Sequence, residues 1–296
     1  MNRREFVASA LAAAFTHNSP PTTPNLIVDS HVHVWKADPR FPFAPGASVP
    51  PNIDASPSAL LQKMHANGVS RTVLIQVIHY KYDNRFLVAT LRAHPGKFAG
   101  VCRVDPQDPA APDHLSAWTA QGCHGVRLSP AAGPTGDWIR GPLMSPLWKR
   151  CEDLNVPMTL LLPVSRLPDI VPLLDKFPAL TTVIDHMADC PVDDAQGFQV
   201  LRSLARYPKL FIKVSHPWSL SKLPYPYPDV QQMIARLRDS YTADRLMWGT
   251  DWPIKPELLS YDRRVALYRD HMPFLSPTEH RQLLAGTVDR VWFSSR

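Results

Sequence analysis

Two histidines separated by one residue, in Asp29-Ser30-His31-Val32-His33, are the first side chains of this 296-residue sequence that could do chemistry. On an extended strand, residues two apart face the same side, so both imidazoles converge. Converging imidazoles can hold a metal ion or bracket one carbonyl oxygen, and the pair alone does not choose between them. Two further candidates close apolar runs: His186 in Val183-Ile184-Asp185-His186, and Asp251 in Trp248-Gly249-Thr250-Asp251-Trp252-Pro253. A carboxylate directly after an apolar strand and Gly-Thr is unusual, because ionised carboxylates are rarely buried without partners. A helix cap or a structural salt bridge is the alternative for Asp251.

Positioning these residues together requires a repeated scaffold. From Leu26 onward, apolar runs rich in β-branched residues alternate with helical patterns, the mark of βα units around a parallel sheet. Eight strands are expected: Leu26 to Trp35, Thr72 to Val77, Phe98 to Val104, His124 to Leu128, Met158 to Leu162, Thr182 to His186, Leu210 to Ser215 and Leu246 to Trp252. An open doubly wound sheet would place a glycine-rich phosphate loop after a strand, and none occurs. The expected fold class is therefore α/β, a single-domain (β/α)8 TIM barrel over residues 21–296, with the candidate residues on its carboxyl-terminal rim.

Local punctuation supports the helices. Ser56-Pro57, Ser145-Pro146 and Ser276-Pro277 each place a hydroxyl before a proline, a helix-start signal, and Gly68, Gly122 and Gly286 are expected to end helices. The proline-rich stretch from Lys36 to Ala55 is expected to wall the pocket, and the aromatic run Trp218 to Tyr227 to close over it.

Composition narrows the function classes. The +6 formal charge is spread along the chain rather than clustered, which argues against nucleic acid as a partner and mildly favours anionic small molecules. After residue 15 no apolar run approaches the roughly 20 residues of a membrane span. The four cysteines show no zinc-ribbon spacing, and reduced, buried thiols are expected. Asn2-Arg3-Arg4-Glu5-Phe6-Val7 and the apolar stretch Ala8 to Phe15 read as a twin-arginine export signal within residues 1–20, and the expected location is the periplasm; a frayed, mildly amphipathic amino terminus on a cytoplasmic protein is the alternative. The expected partner is a small-molecule substrate, and a homo-oligomer is compatible with all of these features.

The combined motifs resemble the amidohydrolase-related family, and within it the lactonase branch. The resemblance runs from about Ile27 to the carboxyl terminus and rests on Val28-Asp29-Ser30-His31-Val32-His33-Val34-Trp35, Gly125-Val126-Arg127-Leu128, Val183-Ile184-Asp185-His186 and Met247-Trp248-Gly249-Thr250-Asp251-Trp252-Pro253. It implies a barrel hydrolase with His31, His33, His186 and Asp251 at its centre. Metal-dependent members usually add a histidine after the fifth strand, and two-metal members a bridging residue on the fourth. Here Met158-Thr159-Leu160-Leu161-Leu162-Pro163 has no ligand and the fourth strand offers Arg127. The implied metal set is therefore His31, His33 and Asp251, holding one divalent ion such as zinc or none.

A lactone needs less activation than an amide, which suits this reduced set. Asp251 is expected to be general base on water and His186 to act with it, while the histidines, or a zinc they hold, steady the developing oxyanion. Arg127, Gln76, His79 and His216 are the expected substrate-binding residues, with a structural salt bridge inside the barrel the alternative for Arg127, and metal ligation or a hydrogen bond to a loop carbonyl the alternatives for His216. A metal-dependent decarboxylase or amide hydrolase on the same fold is the alternative, and a non-catalytic ligand-binding barrel a further one. No G-x-S-x-G elbow supports a serine hydrolase.

Overall fold

Short runs such as Arg71-Thr72-Val73-Leu74-Ile75 lack the length for helices and are apolar on both faces, so they pair as strands covered on both sides. Eight form: β1 (Val28–Val32), β2 (Arg71–Ile75), β3 (Phe98–Cys102), β4 (Gly125–Leu128), β5 (Met158–Leu160), β6 (Thr182–Ile184), β7 (Leu210–Lys213) and β8 (Leu246–Met247). Each pairs in parallel with the next in chain order. The computed structural model describes residues 26–48, 52–129 and 138–294, so the export-signal segment lies outside the described residues.

The circle closes between β8 and β1. Ser30 N donates to Trp248 O at 3.2 Å, Asp251 N to His31 O at 2.8 Å and His33 N to Trp252 O at 2.7 Å. The buried Asp29 carboxylate reinforces the seam by accepting from the Thr250 hydroxyl at 2.6 Å and the Thr250 amide at 3.0 Å. The fold is a single-domain (β/α)8 barrel, as the alternation of patterns led one to expect.

Helices α1 (Pro57–Ala66), α2 (Arg85–Ala93), α3 (Ala111–Ala120), α4 (Met144–Asp153), α5 (Leu167–Lys176) and α6 (Ala195–Ser203) follow strands one to six. A single turn, α7 (Pro217–Leu220), and α8 (Pro228–Tyr241) follow β7; α9 (Tyr261–Asp270), α10 (Pro277–Arg281) and α11 (Thr287–Trp292) complete the ring. In α8 the residues Val230, Met233, Ile234, Leu237 and Tyr241 are buried, the stripe that a 3.6-residue period turns toward a sheet. Inside the barrel, Val28, Val73, Ala99, Val101, Phe211 and Met247 pack together, and Val288 and Trp292 of α11 join them at the amino-terminal ends of the strands.

Two punctuation signals act differently from expectation. Ser56 and Ser276 cap α1 and α10, the latter in a capping box with Glu279. Helix α4 instead begins at Met144, with Ser145 already inside its first turn, where Pro146 has no backbone donor to lose. The Ser145 hydroxyl accepts from Lys176 Nζ at 3.1 Å. Gly68 and Gly122 have φ of +69° and +106°, as closing residues should, but Gly286 has φ −58° and the chain runs on into α11.

Several strands are shorter than their apolar runs. The ladder stops at Ile184 and Met247 because the next functional residues leave extended geometry: His186 and Asp251 each have φ of +52°. Gly249, between β8 and that turn, lies so close to β1 that an added methyl would sit 2.8 Å from His31 Cβ and 3.1 Å from His31 N. Gly249→Ala should therefore lower unfolding free energy by about 1–3 kcal/mol, read from urea denaturation. A midpoint equal to the parent's would contradict this view of the seam.

Candidate active site

Strand β1 points His31 and His33 into the barrel with their Nε2 atoms 3.3 Å apart. Asp251, swung inward by its left-handed backbone, places Oδ1 3.4 Å from His31 Nε2 and 3.3 Å from His33 Nε2. His186 lies with its ring centroid 4.7 Å from that of His31 and again 4.7 Å from that of His216. Non-glycine residues with positive φ carry a cost of order 1–3 kcal/mol each, and His186, His216 and Asp251 all adopt it. Such strain persists only where surrounding contacts fix it, and here the contacts are identifiable.

Arg264 of α9, 1% exposed, fixes the Asp251 turn. Its guanidinium donates to five carbonyls, of Thr250, Asp251, Ile254, Lys255 and Leu259, at 2.7–3.3 Å. Trp218 covers it, with the guanidinium carbon 4.0 Å from the ring centroid. Trp218 packs on Arg264 and Tyr225 on Arg263 of α9, Tyr227 packs against Tyr225, and none of the three is among the described residues lining the cavity beside Asp251. The expected aromatic cover is thus a support for the rim.

Beneath His31 is a second buried carboxylate. Asp185 Oδ1 is 3.3 Å from His31 Nδ1 and 3.1 Å from Lys213 Nζ, and Oδ2 accepts from Arg127 Nε at 2.9 Å. Burial alone would raise the Asp185 pKa, but Lys213, His31 and Arg127 outweigh it and hold the group well below the usual carboxylate range. Burial, with Lys213 beside it, lowers the His31 pKa to about 3, and burial lowers that of His186 likewise to about 3. Both imidazoles are therefore neutral at physiological pH. His33 Nδ1 donates to Ile75 O at 2.8 Å, which leaves its Nε2 as a lone pair aimed at Asp251.

These three donor atoms suit a divalent cation. Bonds of about 2.0–2.1 Å in a tetrahedral site put ligand atoms about 3.3 Å apart, and the three separations are 3.3, 3.3 and 3.4 Å. Asp251 Oδ1 is buried without a hydrogen-bond partner, the condition of an atom awaiting a positive ligand. His186, His216 and Asp251 form a second converging group that shares the aspartate.

Residues 28–293 match the family described as Amidohydrolase. The chain belongs to the amidohydrolase family. It is 27% identical over 239 residues to the L-fucono-1,5-lactonase of Burkholderia ambifaria, covering 77% of this chain and 80% of that one. It is 29% identical over 282 residues to the 2-pyrone-4,6-dicarboxylate hydrolase of Comamonas testosteroni, covering 90% of each. A zinc-bound amidohydrolase structure from Burkholderia multivorans superposes with a TM-score of 0.75 at 22% identity, over 90% of this chain and 98% of that one, a likeness of fold.

In this amidohydrolase the remaining expected residues divide. Arg127, His79 and His216 line a cavity of about 300 Å³ together with His33, His186 and Asp251. Arg127 is at once a structural ion-pair partner, through Asp185, and a cavity wall. His216 Nε2 lies 3.6 Å from Asp251 Oδ2, so it stands at the aspartate and apart from the His31–His33 pair. His79 is anchored by Ser48 O at 2.7 Å from its Nδ1, and its pKa is lowered by burial. Gln76 is turned away: its amide donates to Asp83 O at 2.6 Å, and it is not among the described lining residues. The described part of the proline-rich stretch packs Phe41 and Phe43 against Phe86 and Tyr80, behind His79.

The sequence alone assigns no role to Asp185, Lys213, Arg103, Asn84 or Arg264. The available signal was charge inside apolar strands, which burial tolerates only with a partner. Asp185→Asn should strand Lys213 and Arg127 as uncompensated buried cations and cost about 3–5 kcal/mol of stability, measured by chemical denaturation. Parental stability in that variant would contradict the assignment of Asp185 as their counter-ion.

Proposed function

We propose that this hydrolase opens the lactone ring of a small sugar-derived or carboxylated substrate. The observation that carries the reading is Asp251, whose Oδ1 lies 3.3–3.4 Å from the Nε2 atoms of two imidazoles while Oδ2 lies beside His216 at the cavity wall. The names of both relatives, a lactonase and a pyrone hydrolase, denote action on cyclic esters and support it.

In this mechanism a water hydrogen-bonded to Asp251 Oδ2 attacks the lactone carbonyl carbon as the carboxylate takes its proton. Burial would raise the Asp251 pKa, but the neighbouring imidazoles of His33, His186 and His31 outweigh this and hold it below the usual range. The carboxylate accepts the proton as attack makes the water acidic. The protonated carboxyl then returns it to the ring oxygen as the acyl carbon–oxygen bond breaks. The product is the hydroxy acid.

His186 steadies the oxyanion. If the Ser215 hydroxyl donates to His186 Nδ1, at 2.8 Å, the imidazole keeps its proton on Nε2 and can donate it to the carbonyl oxygen. One zinc or similar divalent ion, when held by His31, His33 and Asp251, would supply further polarisation of the carbonyl and acidify water. Arg127, His79 and His216 contact the substrate, and Gln76 supports the wall through Asp83. Arg3-Arg4 and the apolar stretch that follows direct export of the folded enzyme by the twin-arginine route.

Turnover of L-fucono-1,5-lactone and 2-pyrone-4,6-dicarboxylate, with and without added zinc, tests the reading. Asp251→Asn should lower kcat on the accepted lactone by about a thousandfold or more. A near-parental kcat in this variant would overturn the role of Asp251, and failure to open any lactone would overturn the activity.

A further inference from the structure

Arg103 follows β3 directly and is 6% exposed, yet its guanidinium forms no ion pair with a carboxylate and donates no hydrogen bond among the described residues. Its Nε is fully buried without a partner. A buried, unpaired guanidinium is costly, and proteins seldom retain one without a ligand for it. Its backbone is held on purpose-built contacts: Arg103 N donates to Asn84 Oδ1 at 2.9 Å, and Asn84 Nδ2 donates back to Arg103 O at 2.9 Å, with Asn84 itself fully buried.

Resting on the lactone reading above, we propose that Arg103, with Arg127 beside it, forms a carboxylate-binding subsite across the barrel mouth from Asp251. The lactone opened here therefore carries a carboxylate.

Three observations carry the placement. Both arginines line the catalytic cavity. In a sheet ordered β1 to β8 and closed by β1, strands three and four face strands seven and eight, so the arginines lie opposite His216 and Asp251. The charge is also unbalanced on that side. Asp185 is the one carboxylate in ion-pair contact with Arg127 and Lys213 among the described residues, and it has no such contact with Arg103.

The other flank of Arg103 borders an outer cavity of about 360 Å³ whose lining includes Asp105 and Asp108. Those acids disfavour an anion there, whereas Arg127 favours one on the inner side. At about 300 Å³ the inner cavity is near the lower end for ligand pockets, which suits a single small ring with its carboxylate across from the carbonyl. A planar guanidinium pair matches a carboxylate's two oxygens and rejects a hydroxyl, which leaves the cations unpaired.

The test compares matched six-membered lactones with and without a ring carboxylate, using the full chain. The parent enzyme should prefer the carboxylated lactone by about a hundredfold or more in kcat/KM, and Arg103→Gln should cut that preference to about fivefold or less, chiefly through KM. Arg103→Lys should recover part of it. Equal turnover of both lactones, or an unchanged preference in Arg103→Gln, overturns the subsite and leaves lactone chemistry standing.

If neither lactone is opened, the lactone reading fails and binding decides the subsite alone. Glutarate, which has no scissile bond, should then bind the parent protein at least about tenfold tighter than Arg103→Gln, and glutaramide should bind neither. Glutarate affinity unaffected by the substitution overturns the subsite. Should Arg103→Gln melt well below the parent, the same comparisons on Arg103→Lys decide, with a reduced preference or affinity supporting the subsite and an unchanged one overturning it.

Discussion

One carboxylate with no exposure to water ties the active site to its scaffold. Asp185 receives Arg127 from β4 and Lys213 from β7, faces His31 of β1, and itself follows β6. Four strands thus meet at one ion. Removing a carboxylate from water is costly unless opposite charges and hydrogen bonds replace its hydration. The two cations supply that replacement, and in return Asp185 makes their own burial tolerable. The imidazole it faces is the one whose other nitrogen points at His33 and Asp251. The position of the donor cluster is therefore set one layer below the cluster itself.

The second constraint is conformational. His186, His216 and Asp251 all occupy left-handed backbone at the ends of strands, where a β-ladder would alternate their side chains between faces. The left-handed turn abandons that alternation and lets neighbouring residues serve the same interior. Asp185 and His186 are consecutive, yet the first faces the buried cations and the second the cavity. The Asp251 turn is over-determined in the same way by Arg264, which gathers five carbonyls under Trp218.

This explains what could be read from the sequence. The barrel was legible because buried parallel strands leave uninterrupted apolar runs, and His31 and His33 because period-two geometry keeps them on one face. His186 and Asp251 were legible as polar residues closing such runs. Asp185 was not, because strict alternation assigns it the face opposite His186. Arg103 is hidden in Val101-Cys102-Arg103-Val104, where one charge looks like a strand end, and its lack of a partner exists only in three dimensions. Gln76 was assigned by rim position alone, while its direction is set by the Asp83 carbonyl. Ser145-Pro146 carries a correct start signal displaced by two residues, because proline is tolerated throughout the first helical turn.

The central claim is that Asp251 works on water and that water attacks the acyl carbon. A single turnover of the accepted lactone in water enriched in oxygen-18, followed by mass analysis of the product and of the peptide containing Asp251, tests it most directly. The expected result is one heavy oxygen in the new carboxylate of the product and none in Asp251. Heavy oxygen in the product's hydroxyl, or a heavy oxygen retained in the Asp251 carboxylate, would contradict it.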